Sequence, residues 1–158
     1  MKLRKNGIVQ SYIKLMIQNI KTIITLLPCA GLLYIENKKL LLAFSSKKQC
    51  FYLPGGKIAI HETAATALCR EVMEEMEVVI NENDLEFYTH ISAPAYGEIE
   101  GVIMEQDCFI LSKKIYPKAS AEVALLQYFS VEEYKSQTNR APGAIMILEQ
   151  LKKSGLIN

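Results

Sequence analysis

The pattern of apolar and polar positions divides the sequence into short strand-like runs separated by turn residues. Runs rich in leucine, β-branched and aromatic residues predict strands over residues 22–35, 40–44, 51–53, 85–91, 101–111 and 127–129. Asn37-Lys38-Lys39 reads as a turn, and residues 93–100 as a loop between two of the strands. Together with the helical segments described next, these strands predict an α+β fold in one domain.

Apolar residues at helical spacing occur in two later segments of the sequence. Leu68, Val72 and Met76 lie at i, i+4 and i+8, so they would form the buried face of a helix. A last helix is predicted to begin near Pro142 and to end by Gly155, residue types suited to those two positions. The residues predicted to face the core from this last helix are Ile145, Leu148 and Leu151.

The other face of the first helix carries three carboxylates, Glu71, Glu74 and Glu75, at i, i+3 and i+4. Three negative charges on one face repel each other unless a cation compensates them. Mg²⁺ takes oxygen ligands, usually one or two carboxylates together with waters and substrate phosphates. Gly55 and Gly56 precede the helix in a tight loop, where glycine lets the backbone approach a metal or a phosphate closely. An acidic helix face can also be a solvated surface, so this pattern alone leaves metal binding open.

Residues 56–78 resemble the Nudix box, the signature of the Nudix hydrolase superfamily. The pattern is G-x5-E-x7-R-E-U-x-E-E-x-G-U, where U is a bulky aliphatic residue, and the matching positions are Gly56, Glu62, Arg70, Glu71, Val72, Glu74, Glu75 and Val78. The resemblance implies the Nudix fold, a mixed β-sheet sandwiched between α-helices with the box as a loop-helix-loop.

One position departs from the box, because Glu77 stands where the family has glycine. The family's glycine ends the helix, at a position that favours the left-handed conformation. Glutamate there should cost about 1 kcal/mol relative to glycine, unless the helix runs on or the turn differs.

The resemblance also implies roles for individual residues. Glu74 and Glu75 resemble the principal metal ligands of the family, and Glu71 resembles a further ligand or the general base. The carbonyl of Gly55 is similar to a backbone ligand in some members, and Gly56 is a candidate substrate-binding position. Mg²⁺ is the implied metal, with Mn²⁺ as an alternative.

Three further residues complete the candidate site. Arg70 and Glu62 resemble the brace that orients the catalytic helix of the family. A glutamate outside the box often completes such sites, and we choose Glu122 because the family often has one just before the late strand. The rival glutamates are Glu98, Glu100 and Glu105.

The implied reaction is hydrolysis of a diphosphate linkage in a nucleoside diphosphate derivative. Small size and short loops favour a nucleoside triphosphate, cleaved to monophosphate and pyrophosphate. In the family, a proline and a tyrosine past the box are associated with ADP-ribose and with dinucleoside polyphosphates, and Pro94 and Tyr96 meet both spacings. The two markers cancel, and Tyr96 is kept as a candidate substrate-binding residue. A non-catalytic nucleotide-binding Nudix module is the alternative from another functional class.

Charge and cysteine usage bear on partners and compartment. The net charge of +1 argues neither for nor against a polyanionic partner, and no stable nucleic acid partner is expected beside the nucleotide. The four cysteines are widely spaced without a C-x-x-C, which indicates reduced thiols in a cytoplasmic protein. The apolar residues 20–35 are interrupted by Lys21, Pro28 and Gly31, so no membrane span is predicted. A homodimer is left open.

The first residues are set apart from the predicted domain, which covers residues 22–158. Before Glu36 the chain carries five basic residues and no acidic one. Apolar residues at helical spacing in this segment are Ile8, Tyr12, Leu15, Met16 and Ile20. We expect residues 1–21 to be an extension that packs on the domain. Contact with a membrane or nucleic acid, or a working start at Met16, are the alternatives.

Overall fold

The computed structural model describes residues 24–158 together with Ser11. A four-stranded sheet at the centre has the strand order β5-β1-β7-β6. Its strands are β1 (Thr25–Leu33), β5 (Gly55–Lys57), β6 (Leu85–Pro94) and β7 (Val102–Leu111). β1 runs parallel to β7, whereas β5 and β6 pair antiparallel with their neighbours, so the sheet is mixed.

A second sheet is built around one long strand that pairs with three others. Its strands are β2 (Ile35–Glu36), β3 (Lys39–Ser45), β4 (Cys50–Tyr52) and β8 (Val123–Phe129), all antiparallel to β3. Asn37 and Lys38 have positive φ angles of 51° and 62°, which turn the chain tightly from β2 into β3. The turn predicted at this point is confirmed.

Two helices cover opposite faces of the central sheet. Helix α1 (Ala64–Met76) buries Leu68, Val72 and Met76 against Ala30 and Leu32 of β1. This is the apolar stripe predicted from the sequence, and its burial fixes which way the acidic side of α1 points.

The opposite face of the sheet packs against the end of the chain. The short helix α2 (Val131–Lys135) leads to helix α3 (Pro142–Lys153), which starts with proline in its first turn as predicted. Leu148 and Leu151 are buried against Leu33 and Cys108, while the predicted core residue Ile145 is only partly buried at the rim. The predicted α+β architecture, a mixed sheet between helices, is confirmed.

Several predicted boundaries need correction. The predicted loop before α1 is in part strand β5, because Gly55 and Gly56 pair with Gly31 and Ala30 of β1. The predicted loop over residues 93–100 begins later, since β6 continues to Pro94. The late strand is longer than predicted and starts at Val123. The start of the first predicted strand and the extension over residues 1–21 lie outside the residues that the structure describes, apart from Ser11.

Helix α1 is capped at Glu77, the position at which the Nudix box has glycine. Glu77 has φ 54° and ψ 32°, a left-handed conformation, and its N–H bonds to the carbonyl of Met73. The helix therefore does not run on, and a non-glycine residue occupies a position that favours glycine.

The structure also bears on the thiols and on membrane insertion. All four cysteines are free, and Cys29, Cys50 and Cys108 are buried. Within the described residues, no helix combines the length and the apolar character needed to cross a bilayer.

Candidate active site

The acidic helix is started and oriented by local polar contacts. Thr63 caps α1, because its hydroxyl oxygen accepts a hydrogen bond of 3.1 Å from the backbone N–H of Thr66. With the apolar stripe of α1 buried, Glu71, Glu74 and Glu75 come to the side of the helix that faces β5 and solvent. The N-cap therefore fixes where α1 begins, and the buried face fixes the rotation of the helix about its axis.

Arg70 lies in the middle of α1 and joins the helix to the segment that precedes it. Its Nε and Nη2 atoms donate to the two carboxylate oxygens of Glu62 at 2.8 and 2.9 Å, a bidentate pair. Its Nη1 donates to Glu71 at 2.7 Å and lies 3.5 Å from Glu74. Hydrogen bonds from Arg70 and from the N–H of Ala59 lower the pKa of Glu62 to about 2, so Glu62 stays ionised. One guanidinium thus contacts three of the box carboxylates.

Glu75 is the most enclosed carboxylate of the group, with 8% of its surface exposed. It accepts hydrogen bonds of 2.9 Å from the backbone N–H of Gly55 and 3.0 Å from the hydroxyl of Tyr52. Burial, together with the charges of Glu71 and Glu122, raises its pKa to about 7, although the two hydrogen bonds act in the opposite direction. A nearby cation would reverse this shift and favour the ionised form.

The two glycines before α1 are required by close contacts. Gly55 has a φ of 130°, and a Cβ atom there would lie 2.2 Å from the carbonyl oxygen of Ala30. A Cβ atom at Gly56 would lie 2.6 Å from the carboxyl carbon of Glu71. A side chain at Gly55 would therefore clash with backbone, and one at Gly56 would displace the carboxylate of Glu71, because the backbone of β5 lies directly against the acidic face of α1.

A cavity of about 380 Å³ opens beside these residues. The predicted site residues that line it are Gly55, Gly56, Glu71, Glu75, Tyr96 and Glu122. Its acidic side lies at β5, whereas Leu27, Met104 and Ala144 form an apolar wall near β7 and α3. β5 and β7 are two strands apart, which separates the two sides by about 10 Å across the sheet.

Not every predicted residue reaches this cavity. Glu74 does not line it, and its side chain is 55% exposed beside Arg70. Of the rival glutamates, Glu98 lines the cavity, and its Oε1 atom lies 3.5 Å from Nζ of Lys48. Glu105 lies on the other face of the sheet, where it contacts His90 and Ser92. Glu122 lies immediately before β8, the late strand next to which it was predicted.

Several residues of the cavity were not predicted from the sequence. Tyr52 bonds to Glu75, and Lys48 and Lys57 place positive charge at the rim. Gln106 was also missed, although the sequence carries a signal for it. It shares the inward phase of β7 with Met104 and Cys108, so it is a polar residue at an apolar position.

The donor set fits a hard divalent cation that is shared with a substrate. Among the described residues, no three His, Cys, Asp or Glu side chains converge closely enough to hold a metal ion by themselves. The reason is that Glu71 points to Arg70, and Glu75 points to Gly55 and Tyr52. Mg²⁺ usually takes only one or two carboxylates from the protein and completes its shell with waters and phosphates. Oxygen donors beside an open cavity match that requirement.

Comparison with known proteins agrees with this arrangement. A family model described as the NUDIX domain matches residues 25–151, which cover both sheets, helix α1 and most of helix α3. The chain belongs to the Nudix family. Nudix hydrolases act on nucleoside diphosphate derivatives and generally use divalent metals such as Mg²⁺. No curated protein matched the sequence significantly.

Solved structures with the Nudix fold extend this result. The chain is similar to a MutT NUDIX hydrolase from Burkholderia pseudomallei, with 17% identity, a TM-score of 0.66, and coverage of 80% of this chain and 98% of that one. It is similar to the ORF135 protein of E. coli, with 22% identity, a TM-score of 0.63, and coverage of 83% and 94%.

A third similar structure is a bifunctional NMN adenylyltransferase/ADP ribose pyrophosphatase from Francisella tularensis, solved with AMP and a manganese ion. Its identity is 17% and its TM-score 0.58, and the match covers 95% of this chain and 47% of that one. At identities of 17–22% the similarity establishes the fold alone. The candidate site residues are inferred from the Nudix box and from the geometry around it.

Proposed function

We propose that this Nudix hydrolase is a divalent-metal-dependent pyrophosphohydrolase whose preferred substrate is a nucleoside triphosphate, cleaved to monophosphate and pyrophosphate. The observation that carries the proposal is one cavity with Glu71, Glu75 and Glu122 on one side and an apolar wall on the other. A nucleotide has the same polarity, with a flat apolar base and a phosphate chain that binds through metal ions.

The residues have distinct roles in this proposal. Mg²⁺ or Mn²⁺ would be held by Glu71, Glu74, Glu75 and the Gly55 carbonyl. The metal neutralises phosphate charge and lowers the pKa of a bound water when it is present. Glu71 or Glu122 accepts the proton of the attacking water as the phosphorus–oxygen bond to pyrophosphate breaks.

The brace and the rim complete the proposed site. Arg70 and Glu62 fix the direction of α1, because their two hydrogen bonds tie the helix to the preceding loop. Lys48 and Lys57 lie at the rim of the cavity, where each can attract the phosphates of an incoming substrate. Tyr96 lines the cavity with a partly buried ring, which offers a surface for stacking a base.

ADP-ribose and dinucleoside polyphosphates are the alternative substrates. Pro94 and Tyr96, the two residues at the family's marker positions, both line the cavity, so their placement does not favour one substrate over the other. The Francisella protein is named as an ADP ribose pyrophosphatase, which keeps this substrate in the panel to be tested. The buried free thiols support a reducing compartment, and we propose the cytoplasm.

The proposal is tested by incubating the protein with nucleoside triphosphates, ADP-ribose, dinucleoside polyphosphates and nucleotide sugars. Each substrate is tested with Mg²⁺, with Mn²⁺ and with excess EDTA, and the products are separated by anion-exchange chromatography. We expect monophosphate and pyrophosphate from at least one triphosphate, and no turnover in EDTA. Binding of nucleotides without any turnover across the panel would instead identify a non-catalytic nucleotide-binding module.

A further inference from the structure

Gln106 is a buried polar residue that the proposed chemistry does not use. It lies in β7 with 6% of its surface exposed, and its side chain lines the cavity. Neither its Nε2 nor its Oε1 atom has a hydrogen-bond partner among residues 24–158. Every fully enclosed side-chain nitrogen or oxygen in that part of the chain has a partner, so the amide of Gln106 must be open to the cavity.

An unpaired buried amide is unfavourable for folding. A glutamine side chain offers two N–H donors and one carbonyl acceptor, and in this cavity wall only a water or a ligand can satisfy them. Buried polar groups in native proteins are paired in the great majority of cases, so an exception calls for an explanation such as a ligand or an ordered water. A leucine or methionine at this position would fill similar space without that cost.

The surrounding backbone is shaped to admit this amide. A Cβ atom at Gly31, on the neighbouring strand β1, would lie 2.8 Å from Nε2 and 3.0 Å from Cδ of Gln106. Any other residue at position 31 would therefore displace the side chain of Gln106. Glycine at this place keeps the carboxamide in the apolar wall beside Met104 and Leu27.

The position of Gln106 relative to the acidic side suits a nucleotide. The carboxylates lie beside β5 and Gln106 lies on β7, two strands away, about 10 Å across the sheet. A phosphate chain bound near Glu71 and Glu75 would therefore direct its base towards Gln106. A carboxamide places a donor and an acceptor side by side, as in its bidentate pairing with the edge of adenine.

We propose that the carboxamide of Gln106 is the base-recognition group of this site, for a nucleobase that displays a donor beside an acceptor on one edge. This inference rests on the proposed function, since it names the part of the substrate that the apolar wall receives. A site built to hydrogen-bond a substrate group rejects an analogue that lacks this group, because its own polar atoms are then left unpaired.

The test compares nucleotides that differ only in this edge. Binding of the four common nucleoside monophosphates is measured by calorimetry, with Mg²⁺ and in EDTA, for the wild type, Gln106→Leu and a control. The best ligand is then paired with its analogue that lacks the exocyclic group, the purine riboside or the pyrimidin-2-one riboside monophosphate. Gln127→Leu on β8 is the matched control, because Gln127 is exposed and does not line the cavity.

We expect the wild type and Gln127→Leu to prefer the intact base over its analogue by at least about 10-fold. In Gln106→Leu the two ligands should bind equally, while its melting temperature stays the same or rises. If this variant does not fold, Gln106→Glu, which has nearly the same shape, should change which base binds best. Where turnover is found, Gln106→Leu should raise KM for the preferred triphosphate with little change in kcat.

Three results would overturn the inference. In the first, the wild type binds none of the monophosphates, either with Mg²⁺ or in EDTA. In the second, the wild type binds a base and its analogue equally well. In the third, Gln106→Leu still prefers the intact base over its analogue. The last result would show that the amide is satisfied by a structural water. Base discrimination through Gln106 without any hydrolysis would refute the proposed activity alone, whereas hydrolysis without discrimination would refute this inference alone.

Discussion

The backbone N–H of Gly55 donates a hydrogen bond of 2.9 Å to the carboxylate of Glu75, and this bond joins strand β5 to helix α1. The contact is possible only because β5 lies directly against the helix. The same glycine packs against the carbonyl oxygen of Ala30 on β1, so one residue holds the helix and the sheet together. The geometry of the acidic side therefore depends on a backbone position rather than on a side chain.

Gly55→Ala is expected to destabilise the protein by at least about 2 kcal/mol, because the new Cβ atom meets backbone and the φ angle is unfavourable for alanine. Gly155→Ala is the matched control, since Gly155 also has a positive φ, of 71°, but has nothing within 4 Å of the added atom. The control should cost roughly 1 kcal/mol. Urea denaturation of both variants measures the difference, and equal losses would mean that the contact with Ala30 can relax.

Glu77→Gly is expected to raise the free energy of unfolding by up to about 1 kcal/mol, because glycine tolerates the left-handed conformation found at this position. The substitution also removes the ion pair between Glu77 and Lys118, at 3.3 Å, which is exposed and contributes little. Glu77→Ala serves as the control, since it removes the charge and keeps the Cβ atom. A gain in melting temperature that is as large for alanine as for glycine would assign the effect to charge.

The helix and its acidic face could be predicted from the sequence because their signals are local. Leu68, Val72 and Met76 recur with the helical period, and the carboxylates fall on the other side at i, i+3 and i+4. The resemblance to the Nudix box also indicated a left-handed position at Glu77, with a longer helix or a different turn as the alternatives. These features need no knowledge of which distant segments meet.

The parts that could not be predicted depend on non-local contacts. Strand β5 consists of Gly55, Gly56 and Lys57, which have low strand propensity, and it exists because it pairs with β1. Likewise, the contact of Tyr52 with Glu75 requires β4 to lie beside α1. Gln106 stood in an apolar phase of its strand, yet its importance became evident only when Gly31 and the cavity wall were placed beside it.

His90 is expected to titrate with a pKa above 6.5. Hydrogen bonds to Asp107 at 2.7 Å and to Glu105 at 2.6 Å favour the charged imidazolium and raise its pKa. The chain has two histidines, so a His61→Gln background leaves a single imidazole signal to follow by NMR. A pKa at or below 6.5 would show that the two carboxylates do not hold the ring in solution.

The raised pKa of His90 also implies how the free energy of unfolding should depend on pH. Because the pKa of His90 is raised on folding, its contribution is complete below pH 6.5 and is lost as the pH rises through the folded pKa. The wild type should therefore lose its advantage over His90→Gln as the pH rises above 6.5 and through the raised pKa. The effect should be small, since the side chain is 47% exposed and solvent screens the pairs. An advantage that grows with pH would contradict the assignment.

Deletion of residues 1–15 is expected to leave metal-dependent turnover intact, because every residue proposed for the site lies beyond the deleted segment. We expect a lower melting temperature, since the extension is predicted to pack on the domain. Among the described residues, Leu26 and Phe87 expose large apolar side chains. Exposed apolar surface of this kind could be covered by the extension. A folded truncation that has lost turnover would show that the extension contributes to the site.

We propose that the carboxylates of α1 serve catalysis at the expense of stability. Glu75 is buried among other negative charges, so Glu75→Gln removes an unfavourable charge and keeps groups that can bond to Gly55 and Tyr52. A neutral amide oxygen is, however, a weaker ligand for a hard cation than a carboxylate. Glu74→Gln tests the exposed neighbour in the same way, and Glu86→Gln, exposed on β6, is the control.

The most direct measurement is kcat/KM for the best substrate at limiting Mg²⁺, beside the melting temperature in EDTA, for these variants and the wild type. We predict that Glu75→Gln and Glu74→Gln lower kcat/KM by at least about 10²-fold while their melting temperatures stay equal or rise, and that Glu86→Gln changes neither. Turnover close to that of the wild type in both box variants would contradict the account and leave the acidic face of α1 as a solvated surface.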